Sequence, residues 1–184
     1  QGKYTDIPYA PLQYSTDSAT SWSVETYTGP DTSYKGGTAA ISTDGAVAIW
    51  VPESGTTKVM RNYNSTTWEN VSGIDVNSFV VGDPENAQVF YAYNKTTGEF
   101  YKSTDQGASF SAISAPGKSN FKKFRAIPGY EGDLWLPIGL QDENGNPASG
   151  KLLHSTDGGA TWSDVSGVGY CEAVGFGAPK TTGG

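Results

Sequence analysis

Apolar and polar positions along this chain alternate in short runs and never settle into a helical period. TAAIS (38–42), VAIWVP (47–52), TKVMR (57–61) and TTWENV (66–71) are rich in β-branched and aromatic residues and read as strands. The same order returns in SFVVG (78–82), VFYAY (89–93), EFYKS (99–103) and SFSAI (109–113), and again in FRAI (124–127), DLWLPIG (133–139), KLLHS (151–155) and TWSDV (161–165). Each group predicts four short antiparallel strands. Turn signals separate them: Asp44-Gly45, Glu53-Ser54-Gly55, Thr97-Gly98 and the polar stretch QDENGNPASG (141–150). Nowhere do apolar residues recur at helical spacing for three turns, so no helix is expected.

Between the third and fourth strands of each group sits an octet of the form Ser-x-Asp-x-Gly-x-Thr/Ser-aromatic. It is STDQGASF with Ser103, Asp105, Gly107 and Phe110, and STDGGATW with Ser155, Asp157, Gly159 and Trp162. An earlier copy, STDSATSW, carries Ser15, Asp17 and Trp22, and RNYNSTTW (61–68) keeps the closing Thr-Trp but has Tyr63 in place of the aspartate. Asp can accept backbone N–H bonds in a tight turn, Gly can take positive φ and Thr/Ser can bond locally, so the octet predicts a hairpin staple whose aromatic packs between sheets. The closing aromatics are separated by 46, 42 and 52 residues, the length of a four-stranded propeller blade.

The fold expected is therefore all-β, a partial β-propeller of about three and a half four-stranded antiparallel blades. Residues 1–184 form one segment: a partial blade over 1–35, blades over about 36–75, 76–115 and 116–168, and the start of another at 169–184, where CEAVGFG supplies a fifteenth strand. Propellers close with about four to eight blades, and an open arc leaves unpaired edges. The remaining blades, or a second copy, are thus expected partners, and PLQYS and GAPKTTGG read as mid-blade ends.

Composition narrows the function. The chain has 184 residues, 36% hydrophobic, with a formal charge of −7 and only Arg61 and Arg125 as arginines, so no basic face is available for nucleic acid or an anionic membrane. No apolar run approaches the roughly 18 residues of a membrane helix. A single Cys171 excludes an internal disulfide and reads as a buried or free thiol, and one histidine, His154, cannot build a zinc site. No metal or cofactor is expected, and His154 reads as a hydrogen-bonded edge residue. Lys122, Lys123 and Arg125 are too few for a polyanion site and read as a solvated strand edge. Sequons at Asn64, Asn70 and Asn94 and the wealth of Gly, Ser, Thr, Tyr and Trp favour an extracellular, secreted protein.

The octets resemble Asp-boxes (BNR repeats), which occur in sialidases, sortilin-type receptors and several propeller hydrolases. IPGYEGDLWL (127–136) followed by GKLLHSTDGGATWSDVSGVGYCEAVGFGAP resembles the carboxy-terminal propeller of family 74 glycoside hydrolases, the xyloglucanases and the oligoxyloglucan reducing-end-specific cellobiohydrolases. GGTAAISTDGAVAIWVP (36–52) and DPENAQVFYAYNKTTGEFYKSTDQGASF (83–110) fit preceding blades. The resemblance implies a secreted enzyme of two propellers that holds plant cell-wall xyloglucan in the cleft between them and hydrolyses its β-1,4-glucan backbone with inversion, using two aspartates. An inverting pair stands about 6.5–9.5 Å apart. Neither aspartate has a counterpart here, so no catalytic residue is assigned and the segment alone is expected to be inactive. Glu131 and Asp133 share one strand face and read as groups that bond turn amides.

Pyranose faces stack on aromatics, which makes Trp50, Tyr91, Tyr93, Tyr130 and Trp135 the candidate glucan contacts. Tyr130, in a Pro-Gly turn, is the one most expected at the surface. The alternative reading is a non-catalytic Asp-box propeller module for binding or interaction. A sialidase would need three arginines to clamp its substrate carboxylate, and the chain has two.

Overall fold

The computed structural model describes residues 13–15, 17–24, 37–53, 59–63 and 68–177. They form fourteen strands and no helix. β1 (Gln13–Tyr14) and β2 (Ser23–Val24) make a two-stranded sheet. Three four-stranded antiparallel meanders follow: β3 (Thr38–Ile41) to β6 (Trp68–Asn70), β7 (Ser78–Gly82) to β10 (Ser111–Ser114), and β11 (Arg125–Ala126) to β14 (Ser163–Asp164). This is a partial β-propeller: the octets at 103–110 and 155–162 lie between the third and fourth strands of their sheets, and the octet at 15–22 joins β1 to β2. CEAVGFG forms no strand: it runs beside β12, with Phe176 against Trp135, without making a backbone ladder.

The sheets stack through faces that the pleat separates. In β8 (Phe90–Asn94) all five residues are buried. Phe90 and Ala92 face the first four-stranded sheet, meeting Val47, Ile49, Val51, Val59 and Val71. Tyr91 and Tyr93 face the third, meeting Phe124, Leu134, Leu136, Ile138 and Leu153. Period-2 alternation thus feeds two cores from one strand. In β4 (Val47–Val51), Val47, Ile49 and Val51 join the first core while Trp50 turns to the opposite face and meets Trp68 edge-on, with ring centroids 6.2 Å apart. Burying each such side chain contributes about 1.5–3 kcal/mol.

β12 (Leu134–Gln141) and β13 (Pro147–Ser155) form a longer hairpin than the polar stretch 141–150 suggested. Only residues 142–146 turn, and Asp142 holds them by accepting the N–H groups of Asn144 and Asn146 at 2.9 and 2.8 Å. Pro137 is tolerated mid-strand because it falls in a gap on that side: β11 pairs only with Trp135 and Leu134, and residues 119–120 bond β12 only from Gly139 onward.

The octet turns at 103–110 and 155–162 also reach the sheet before them. In all three octets the fourth and fifth positions have positive φ: Gln106 and Gly107 at 58° and 76°, Gly158 and Gly159 at 72° and 89°, Ser18 and Ala19 at 56° and 66°. A Cβ on Gly159 would stand 2.4 Å from Cε1 of Phe100, whose ring is fully buried, so glycine is demanded by both φ and space. The Gly159→Ala variant should lose about 2–4 kcal/mol, combining the left-handed penalty with overpacking. Ala19→Gly, at an exposed turn, should gain about 1 kcal/mol. Urea unfolding of both variants checks the opposite signs; equal effects would refute the inter-sheet role of Gly159.

Candidate functional site

The octets share one hydrogen-bond pattern. In the third sheet, Ser155 Oγ donates to Asp157 Oδ1 at 2.8 Å and accepts the Gly159 N–H at 2.9 Å. Asp157 accepts the Thr161 N–H at 2.9 Å and the Thr161 hydroxyl at 2.6 Å. Ser103, Asp105 and Ser109 repeat this, with the Gly107 N–H on Ser103 Oγ. Ser15, Asp17 and Ser21 repeat it with Ala19 in the glycine position. The aspartates are spent on their own turns. The Thr161 hydroxyl and N–H, with the Ser155 hydroxyl, hold the Asp157 carboxyl down at about 2 against a small opposing effect of burial. Ser21 and Ser15 hold Asp17 at about 2 likewise. Burial works against Asp105, yet its hydrogen bonds to Ser109 and Ser103 prevail and lower it.

The aromatics closing the octets divide. Phe110 is buried in an inter-sheet cluster, Trp68 is buried against Trp50 and Met60 of its own sheet, and Trp162 packs edge-on against Phe100 at 5.0 Å while its N–H donates to Ser114 Oγ at 3.1 Å. Trp22 departs from the expectation: it is 60% exposed, because no described sheet lies against its short hairpin.

Segment 127–133 leads into β12 and is fastened to its neighbours. Asp83 Oδ2 accepts the Gly132 N–H at 3.0 Å, Glu85 Oε1 accepts the Gly129 N–H at 2.6 Å, and Gly158 donates its N–H to Gly132 O at 3.0 Å. The turn amides are therefore held by Asp83 and Glu85 of the neighbouring sheet rather than by Glu131 and Asp133. Glu131 accepts from Asn86 Nδ2 at 2.9 Å. Asp133 accepts the Trp135 indole N–H at 2.9 Å and stands 3.0 Å from His154 Nε2. The Trp135 ring lies stacked on His154 at 4.2 Å, with Phe176 at its edge. Tyr130, at the tip, is 62% exposed. The i and i+2 carboxylates are thus engaged with separate partners, since residue 131 lies in the turn and not in the strand.

Of the five aromatic candidates, the structure leaves Tyr130 open and Trp135 half-covered. Trp50, Tyr91 and Tyr93 require correction: Tyr91 and Tyr93 lie in an inter-sheet core and Trp50 is buried with Met60 and Trp68 on its own sheet, with essentially no exposed ring, so none can offer a face to a sugar. The signal was in the alternation itself, since a strand buried on both faces places its large residues inside whichever way they point. The Tyr91 hydroxyl donates to the buried Asp83 at 2.9 Å, and burial followed by that carboxylate pushes the phenol up; burial alone does so for Tyr93. The sequon at Asn94 is also corrected. Its side chain is buried, with Oδ1 accepting the Thr96 and Thr97 N–H groups and Nδ2 donating to Asp75, so it offers no accessible amide. Asn70 is exposed, and Asn64 lies outside the described residues. Lys122 is not on a solvated edge: it is half-buried and donates to Val76 O at 2.9 Å, and burial with the nearby Lys95 lowers its pKa. Cys171 is a free thiol, half-buried, raised by burial. Among the described residues no group of three His, Cys, Asp or Glu side chains could hold a metal ion. The carboxylates Asp83 and Glu85, which fasten the segment, carry no local sequence signal because their partners are 49 and 44 residues away, respectively.

Three stacked four-stranded meanders, tied by octet turns, define the chain as part of a β-propeller. No family model matches it. It is 34% identical over 168 residues to a xyloglucanase of Paenibacillus sp., covering 89% of this chain and 15% of that one. The GH74 enzyme of Niastella koreensis superposes with a TM-score of 0.71 at 30% identity, over 88% of this chain and 22% of that one. The GH74 xyloglucanase of Xanthomonas campestris shares the fold, with a TM-score of 0.57 at 22% identity, over 84% of this chain and 28% of that one. The chain is thus homologous to a segment of the family 74 xyloglucanases, and spans about 15% of the length of the curated relative from Paenibacillus.

Acid should expose the work of the octet carboxylates. Asp17 and Asp157 sit at about 2 against an ordinary 3.8, so their contribution is complete above about pH 4 and is lost as pH falls toward about 2. The urea midpoint of the protein should fall across that window, and the Asp157→Asn variant should start lower and fall less. An identical pH dependence in the variant would contradict this assignment.

Proposed function

We propose that the chain is a propeller-wall segment of a secreted xyloglucan-degrading glycoside hydrolase, which inverts the anomeric centre with aspartates carried elsewhere in the polypeptide. The observation that carries this reading is an alignment running along most of the chain against enzymes whose names state xyloglucan as substrate and of which the chain is a small part. In it the octets are Asp-boxes, each four-stranded sheet is one blade of about 36–75, 76–115 and 116–168, and the remaining blades cover the outer faces. Asn70 would carry the surface glycan.

Tyr130 is the glucan contact this reading favours, because it alone of the five aromatics is both large and mostly open. Trp135 is secondary, as His154 and Phe176 already occupy parts of its surface. Glu131 and Asp133 act in positioning the segment and have no part in bond cleavage.

Release of reducing ends from xyloglucan tests the reading. The 184-residue chain alone should release none, whereas the longer polypeptide should. Tyr130→Ala in that polypeptide should raise KM several-fold with kcat nearly unchanged, the pattern of a lost binding contact. Hydrolysis by the chain alone would place the catalytic pair within it, and a longer polypeptide inert on xyloglucan would end the reading altogether.

A further inference from the structure

The first strands of the three four-stranded sheets converge, since β7 lies against both β3 and β11. Sheets that meet along their first strands and twist must spread toward their fourth, and a gap opens at the outer rim. Between the second and third sheets it is an open groove of about 240 Å³. Ala115 and Pro116 give its accessible aliphatic floor above the buried Leu153, the Trp162 indole forms one wall, and Lys151, Thr161 and Asp164 the polar margin. Lys151 Nζ stands 3.2 Å from Asp164 Oδ1, and both side chains are well exposed. Ala160, also exposed, borders the opening without filling it.

We propose that this rim groove binds one pyranose unit of a neutral β-glucan chain, at a site separate from the 127–135 segment. Its volume is below the about 300–1,000 Å³ of sites for drug-sized ligands, so it suits a single ring. An indole beside an aliphatic floor accepts the C–H face of a sugar, while hydroxyls at the ring edge need both donors and acceptors. The Lys151 ammonium supplies donors and the Asp164 carboxylate acceptors side by side, and the Thr161 hydroxyl, whose proton is given to Asp157, adds an acceptor. An exposed ion pair is worth at most about 1 kcal/mol, so its two members can turn to a diol at little cost. Charge balance at the margin also disfavours an anionic ligand. Two neighbouring features keep the wall in place whether or not sugar is present: the Trp162 N–H is bound to Ser114, and its ring edge rests on Phe100. The choice of a glucan rather than another neutral sugar rests on the functional reading above; the groove itself does not.

Titration of cellohexaose into the full chain, followed by tryptophan fluorescence and calorimetry, tests the site. Millimolar or tighter binding is expected. Ala160→Gln, which puts uncharged bulk over the opening, should weaken it at least tenfold, and Asp164→Asn should weaken it less. Tyr130→Ala should leave the fluorescence change intact. Each variant is first shown to unfold at the wild-type urea midpoint. Absence of binding, or Ala160→Gln binding as tightly as wild type, overturns the proposal. Maltohexaose binding in place of cellohexaose overturns its glucan assignment. Because hydrolysis by the longer polypeptide is read separately, failure here with xyloglucan activity retained removes only the groove, and the reverse removes only the functional reading.

Discussion

The middle sheet is apolar on both faces, and everything else follows from having to cover it twice. β8 presents Phe90 and Ala92 one way and Tyr91 and Tyr93 the other, so a single sheet against it would leave two phenols in water or a phenylalanine exposed. A stack is the solution available where the described residues form no helix. Asymmetry between the faces sets its detail. Small Ala92 lets the first sheet approach with valines and Ile49, whereas the tyrosines, Phe100 and Phe124 fill a wider aromatic layer on the other side.

Stacking alone does not fix how sheets are rotated against one another, because apolar surfaces slide. The octets remove that freedom. Their aspartates satisfy the N–H groups of a turn with two successive positive φ values, and this projects the turn toward the preceding sheet, where it meets directional partners. Arg61 donates to Gln106 O at 2.8 Å, Ser72 and Phe110 exchange a backbone bond at 3.0 Å, and Ser114 donates to Gly159 O at 2.5 Å. A hydrogen bond contributes only about 0.5–1.5 kcal/mol net, but several with fixed directions select one rotation among many of similar burial. The same economy explains Asp83, which fastens segment 127–133 while its other oxygen caps its own turn.

Most of the architecture was legible in residues close in sequence. Strand order, the octet positions and the sheet count follow from period-2 patterning and turn chemistry, both local properties. What was not legible depended on distant partners. Tyr91 and Tyr93 read as a candidate sugar platform until Phe124 and Leu134 of another sheet were seen to cover them. Asn94 matched a three-residue sequon, but Asp75 and the following turn claim its amide. CEAVGFG has strand composition and forms none, since a strand exists only by pairing. The long β12–β13 hairpin concealed itself because Pro147, Ser149 and Gly150 are turn formers that geometry overrode.

These burials shift where ligand chemistry can reside. The packing of the sheets consumes many of the aromatic side chains. Among those left at least partly open, Tyr130 stands on a turn tip and Trp162 where the sheets spread apart. Neither position is free to drift. Segment 127–133 is tied at Gly129 and Gly132 to carboxylates of the adjacent sheet, and Trp162 is pinned by Ser114 and Phe100. Rigid presentation limits the side-chain entropy lost on binding, a cost of about 0.5–1.5 kcal/mol for each mobile side chain that must be ordered. The inter-sheet fastenings that decide the rotation of the stack therefore also hold in place the turn that carries Tyr130 and the half-exposed ring of Trp162.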